Sequence, residues 1–302
     1  MFTKKYMLAG ELEVTYKIDP SPAATDAIEA FDVNFKFNRI NNEKNIGGVN
    51  LGSLPSWVST RDVEVTFKTY IKTNGTTSGM FGRMLQACAW AEAAGVYTFD
   101  TDPATGDSMT FWFYQDGLVT KVNGCRGTVN LNFPAGEFAT AEWTFKGLYN
   151  QPTASAIVAP DWEAGSAFIV ESSDFEMGSG ANVNYIENFS IKQAGLESFM
   201  DINGAQGFGR SFVVDAIFTG SIDPEVTPAN IVTWETAINA STTYALNYVL
   251  GAGVGNIITI TAPAVQVTEG VLADKRGIQV MNLDLNFRTT EAGASPITIT
   301  VS

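Results

Sequence analysis

Thirty-two carboxylates, two cysteines and no histidine are the chemical stock of this 302-residue chain. Without histidine there is no Ser-His-Asp triad, no Cys-His dyad, no HExxH zinc site and no histidine pH switch. A pair of carboxylates can cleave a glycosidic bond, but only at a fixed separation in space, which no spacing in this chain encodes. Asp100-Thr101-Asp102 with Asp107 is like a calcium loop. Ala104 stands at the fifth position, however, and Gly106 comes one place late, so a solvated loop is the better reading. Gly251, Gly253 and Gly255 are spaced like half a dinucleotide fingerprint, yet they lie between two strand patterns and no helix follows to hold a phosphate. Six tryptophans and nine tyrosines could stack on sugar rings. At strand spacing, Trp112 and Trp143 are explained more simply as packing. Cys88 falls in a helical pattern and Cys125 in a strand, and two cysteines make no disulfide framework. The reading is therefore no catalytic residue, no metal and no cofactor.

Charge narrows the partners. The net charge is −14, so the surface repels nucleic acid and anionic membranes. Lys4-Lys5 and Lys275-Arg276 are isolated basic pairs, not a binding stripe. Residues 1–150 carry 13 basic and 16 acidic side chains; residues 151–302 carry 5 and 16. The acidity of the second half thus comes from missing lysines. No apolar run approaches 18 residues, and Glu11 and Glu13 interrupt what could mimic a leader. The expectation is a soluble, intracellularly made product without a membrane span.

The elements that must position these residues are mostly strands. Phe31, Val33, Phe35 and Phe37 alternate with polar residues, as do Val63, Val65 and Phe67, then Ala141, Trp143 and Phe145, then Leu283, Leu285 and Phe287. Gln115-Asp116-Gly117 predicts a hairpin between 109–114 and 118–122, and the 251–255 glycines predict another between 244–250 and 257–261. Closing strands are expected near 127–133, 140–149, 264–269 and 277–288. Phe81, Met84, Leu85, Cys88 and Ala91 predict a helix over about 78–93. Thr227 as N-cap, Pro228, and the stripe Ile231, Trp234, Ile238 predict a second over about 228–239.

Residues 12–37 slide onto 168–193 without a gap and agree in pattern: a short strand, a turn-rich stretch, an alternating strand. A long loop (Asn38–Thr60; Ala194–Gly209), a strand opened by Arg61 or Arg210, a helix, a hairpin and two closing strands follow in both. The expected organisation is two homologous domains, 1–152 and 153–302, the second a divergent copy.

One segment is distinctive. Tyr97–Thr153 holds a Ser108-Met109-Thr110 strand start, an Asp116-Gly117 turn and a Val122-to-Gly127 step reading Val-x-Gly-Cys-Arg-Gly. An Ala135-Gly136-Glu137 turn and the closing Phe145-Lys146-Gly147-Leu148-Tyr149 complete it. With Leu8-Ala9-Gly10 before the first strand, this resembles the tail tube proteins (major tail proteins) of long, non-contractile bacteriophage tails, in a two-copy form. The second half keeps the two-strand ending in Ala262–Arg288 but loses the Gly-x-Tyr closure.

The resemblance implies a mainly β fold: two tandem β-sandwich tube domains, each with one flanking helix, assembling into a closed β-barrel ring of about 24 strands. It implies a trimeric ring acting as a pseudo-hexamer, stacked into a tube, with tape measure, terminator and tip proteins as neighbours. Such a product assembles in the host cytoplasm and ends in the virion tail, where double-stranded DNA transits without specific binding. Closure also answers a local problem, since long alternating strands without guarding prolines are hazardous as free edges. Candidate residues for an acidic lumen are Asp32, Glu64, Glu142, Asp215, Asn282, Asp284 and Asn286, with Lys36, Lys68 and Lys146 sharing those faces and pairing across strands. The long loops are expected to reach a neighbouring ring, with Leu54, Pro55 and Trp57 as apolar anchor. Two alternatives stay open: a carbohydrate-binding or adhesive β-sandwich module of a virion, and a carboxylate-only hydrolase.

Overall fold

The computed structural model describes residues 5–44, 55–73, 79–100, 102, 106–178, 185–252 and 255–302. In chain order the elements are β1 (Tyr6–Leu12), β2 (Ala27–Ile28), β3 (Ala30–Asn42), β4 (Trp57–Tyr70), α1 (Met80–Gln86), β5 (Trp90–Ala93), β6 (Val96–Phe99), β7 (Met109–Gln115) and β8 (Leu118–Pro134). Then come β9 (Thr140–Tyr149), β10 (Thr153–Ala154), β11 (Asp174–Met177), β12 (Asn188–Met200), β13 (Phe208–Ile222), α2 (Pro228–Asn239), β14 (Thr243–Gly251), β15 (Ile257–Lys275), β16 (Ile278–Arg288) and β17 (Thr298–Val301). The fold is mainly β and antiparallel, with two α-helices and two short 3₁₀ turns among the described residues. Within one chain the sheet does not close into a barrel.

The sheet follows from the alternating patterns. β3, β4, β9 and β8 pair side by side, and β12, β13, β16 and β15 do the same. Apolar positions in the paired middle of these strands, such as Val65, Phe67, Trp143, Phe145, Phe218 and Leu285, turn to one side and are buried. β8 and β15 are long enough to serve two layers. The start of β8 pairs with β7, which carries β1 and β2 beyond it, and the start of β15 pairs with β14 and β17. Phe111 of β7 closes on Phe145 (ring centroids 4.7 Å) and Phe67 (5.6 Å), so the layers meet over an aromatic core.

Glycines make the tightest crossings possible. A Cβ on Gly127 would stand 2.6 Å from the Thr144 carbonyl oxygen and press into the Phe145 ring. Gly127→Ala is therefore expected to cost about 2–3 kcal/mol, read as a lower urea midpoint with an unchanged slope. The Asp116-Gly117 turn has φ of 44° and 91°, the positive pair a two-residue hairpin demands.

Helix α2 starts as its sequence dictates, with the Asn230 amide donating to Thr227 Oγ1 at 3.3 Å, and Trp234 is buried against the sheet. The first helix is much shorter than its apolar spacing predicts. Ala89 turns to φ 65°, and Trp90–Ala93 leave to pair with Val96–Phe99 as a hairpin. Residue 78 lies outside the described residues. Strand reaches into both expected long loops: β3 runs on to Asn42 opposite Trp57, and β12 runs to Met200 opposite Phe208. Bulges in both hairpins break the alternation that would have revealed them. Residues 45–54 lie outside the described residues. The ungapped slide matches β3 to β12 but not the opening strands, because β1 ends at Leu12 while β11 begins at Asp174.

A charged cluster ties β1 to α1. Arg83 bridges Glu11 and the buried Asp26, the latter at 3.2 Å. Burial foremost, then the hydrogen bond with Asp26, pushes the Glu11 carboxyl up to about 7 from its ordinary 4.5, against the pull of Arg83. Here a folded carboxyl keeps a proton that the unfolded chain has released. This site's contribution to stability is therefore present at low pH and lost as pH rises from about 4.5 to about 7. Glu11→Gln is expected to flatten the dependence of the urea midpoint between pH 5 and pH 8; an unchanged slope would exclude Glu11 as its source.

Candidate functional site

The site is a surface. β12 pairs antiparallel with β8, Asn188 opposite Pro134 through Lys192 opposite Asn130. That joint fuses the two four-stranded sets into one eight-stranded sheet, ordered β3-β4-β9-β8-β12-β13-β16-β15. It is locked from the core side. Gln193 of β12 accepts from Trp90 Nε1 (3.1 Å) and donates to the Cys88 carbonyl (2.8 Å), and Phe218 packs edge-on to Trp90 and Phe99. β17 adds a second joint by pairing with both β15 and β6.

The face away from the core is polar from β9 to β16; at its β3–β4 end Phe31 and Tyr70 pack together on it (ring centroids 4.9 Å). One rank runs Lys68, Glu142, Asn130, Lys192, Thr219, Asn286, Gln266 across seven adjacent strands. The next runs Thr140, Asn132, Ser190, Ser221, Asp284, Glu269. Glu64 lies between Lys36 and Lys146 in register, and Lys68 reaches Asp32 at 3.4 Å. Five of the lumen candidates, Asp32, Glu64, Glu142, Asp284 and Asn286, thus share one face with three lysines already suspected and with Lys192, which sequence reasoning missed. Asn282 is exposed on β16 further along, opposite Val271. Asp215 stands apart. Between Ala194–Ile217 and Leu196–Val213, β13 spends four residues where β12 spends two, so Asp215 sits in the irregularity. It lines a cleft of about 470 Å³ with Thr98, Phe99, Asp100, Val213 and Thr289.

Past that irregularity the β12–β13 hairpin becomes an arm that lies across the end of the β8–β9 pair. Ser211 Oγ donates to the Lys146 carbonyl at 2.6 Å, Lys146 Nζ to the Leu196 carbonyl at 3.4 Å, and Gln206 Nε2 to the Tyr149 carbonyl at 3.2 Å. Lys17 donates to the carbonyls of Phe208 and Gly209, and the Ser211 amide donates to the Tyr16 hydroxyl at 3.3 Å. Burial pushes the Tyr16 phenol up to about 12, so it is neutral here.

Beneath this seat lies Glu13, 8% exposed. Its carboxylate accepts from Ser108 Oγ (2.6 Å), Thr110 Oγ1 (2.5 Å) and the amides of Gly124 and Lys17 (2.7 Å each). This explains the Val122-to-Gly127 motif: Gly124 turns to φ 62° and aims its amide at a carboxylate more than a hundred residues earlier.

A family model described as phage tail tube protein matches residues 22–289. The chain belongs to that family. It is a structural component of a phage virion, a building block of the tail tube, and the motif segment, the eight-stranded sheet and the hairpin arm all fall inside the match. No curated protein matches the chain.

Asp100 accepts from the Asp102 amide at 2.9 Å as a turn, and no group of three metal-ligating side chains occurs among the described residues; Thr101 and Ala104 lie outside them. Cys88 and Cys125 are free and buried, and burial pushes both thiols up. No described helix is long and apolar enough to cross a membrane. Pro55 and Trp57 are exposed on β4 and the residues leading into it; Leu54 lies outside the described residues.

Proposed function

We propose that this chain is a duplicated tube subunit of a long, non-contractile tail, with domains 1–152 and 153–302, and that three copies close one ring. The observation that carries the reading is the β8–β12 joint. It already unites two four-stranded sets edge to edge, and the resulting sheet is open at both ends. Among the described residues, β3 at one end pairs only with β4, and β15 beyond Val267 at the other pairs only with β16. β3 occupies the place in its set that β12 does, and β15 the place of β8. The in-chain joint is then a template for the joint between chains. Carried over, Ile191 opposite Leu131 becomes Phe35 of one copy opposite Leu272 of the next. Val271 and Leu272 are 52% and 46% exposed, an apolar edge strand of the kind proteins cover. Three eight-stranded sheets give about 24 strands, enough to enclose an aqueous channel.

The polar ranks face that channel in this reading, and DNA passes along them during ejection. Lysines alternate with carboxylates in the first domain's ranks, while Asp284 and Glu269 exceed Lys192 in the second. The lumen is thus a charge-compensated surface with a carboxylate excess. Duplex DNA carries one charge per ~1.7 Å of axis; bare lysines would grip it, whereas lysines engaged across strands do not. Rings stack on one another and on other tail proteins.

The test is Phe35→Cys with Leu272→Cys, oxidised after assembly. A denaturing gel should show covalent trimers that are closed, with nothing above, and micrographs should show hollow rings or tubes. Six-chain closure, or tubes with no cross-link, would overturn the three-chain ring.

A further inference from the structure

We infer that the β3–β4 hairpin of each chain seats laterally, on the cleft beside β13 of its neighbour in the same ring. This rests on the ring reading above. Within one chain the β12–β13 arm lies on the β8–β9 end of the preceding set through Lys146, Tyr149, Tyr16 and Lys17. The matching place in the second set is marked by register. Val63 opposite Gly147 corresponds to Phe218 opposite Phe287, so the end near Lys146 and Tyr149 corresponds to Asn286–Thr289 and the adjoining start of the paired part of β13. Among the described residues, no hairpin arm lies across it. Instead the cleft of about 470 Å³ opens there, lined by Val213, Val214, Ala216 and Thr289, with Val214 48% exposed and Ile217 exposed beside it. The β3–β4 hairpin touches Tyr149 at its base, through Phe37 (ring centroids 5.7 Å), Arg39 and Arg61, and beyond that contact its described residues have no matching seat. It exposes Phe37, Ile40, Trp57 (58%) and Val58, apolar surface that a second copy's cleft would remove from water. Seat and arm sit at opposite ends of one sheet, so the joint that brings Phe35 to Leu272 also brings the hairpin over the neighbour's cleft.

The test uses the full chain with Trp57→p-benzoyl-L-phenylalanine, assembled, irradiated and mapped by mass spectrometry. Expected are adducts between chains at residues 213–217 or 286–289, in a ladder that stops at one ring. Adducts elsewhere, a ladder running past one ring, or tubes without an adduct overturn the lateral seat. The same photoreactive residue at Leu272 reports ring closure separately, through adducts at residues 33–37; if those too are missing, the ring reading fails with the seat. Val214→Asp gives a second measurement. The position is exposed, so the monomer should keep its circular dichroism while tube yield falls roughly tenfold or more. Unchanged yield would overturn the seat.

Discussion

Leu272→Asp is expected to abolish ring formation while leaving the folded monomer in place. The residue is 46% exposed on the part of β15 that has a single partner strand, so the isolated chain has little packing there to lose. In the proposed joint it meets Phe35 and Val33 in a dry seam. A carboxylate there must be desolvated without a partner, which costs several kcal/mol per contact, and each ring contains the contact repeatedly. Sedimentation should give monomers at concentrations where the parent chain forms tubes, with the urea midpoint shifted only slightly. Tubes from the variant would remove β15 from the joint.

Glu13→Ala is expected to lower stability by about 4 kcal/mol. Four donors converge on this carboxylate, two of them backbone amides. Deleting it removes the acceptor of three buried donors, Ser108, Thr110 and the Gly124 amide, and of the half-buried Lys17 amide. Glu13→Gln keeps the shape but turns a donor toward a donor, so a smaller loss of about half is expected. The damage should spread, because Tyr16 and Lys17 form the seat of the β12–β13 arm. Hydrogen exchange at residues 196–213 should therefore rise before the core opens. An arm that stays protected would mean that its pairing with β12, not the seat, holds it.

Much of this architecture was legible in the chain, and the reasons are local. α2 was readable because Thr227, Pro228 and Trp234 each act within one turn. The polar ranks were readable because period-two strands fix which side chains share a face, and strands laid side by side keep that face. Asp215 left the rank because an irregularity in pairing swaps faces: Val213 is buried, whereas Thr219 and Ser221, of the same parity, are on the polar side. The end of α1 was hidden because apolar spacing runs on through Cys88 and Ala91, while the decisive event is the backbone of Ala89. The Gln193 bridge and three of the four donors to Glu13 needed partners about a hundred residues away, which no window along the chain contains.

The two open margins of the sheet differ from each other, one formed by β3 and one by the far part of β15. A margin that fits only its opposite cannot form a two-fold pair; it propagates head to tail until the rotation closes. In the proposed ring each added chain hides one margin and presents another, so only the last to join leaves nothing exposed. On that reading growth is all-or-none, and partly built rings are sticky, short-lived species.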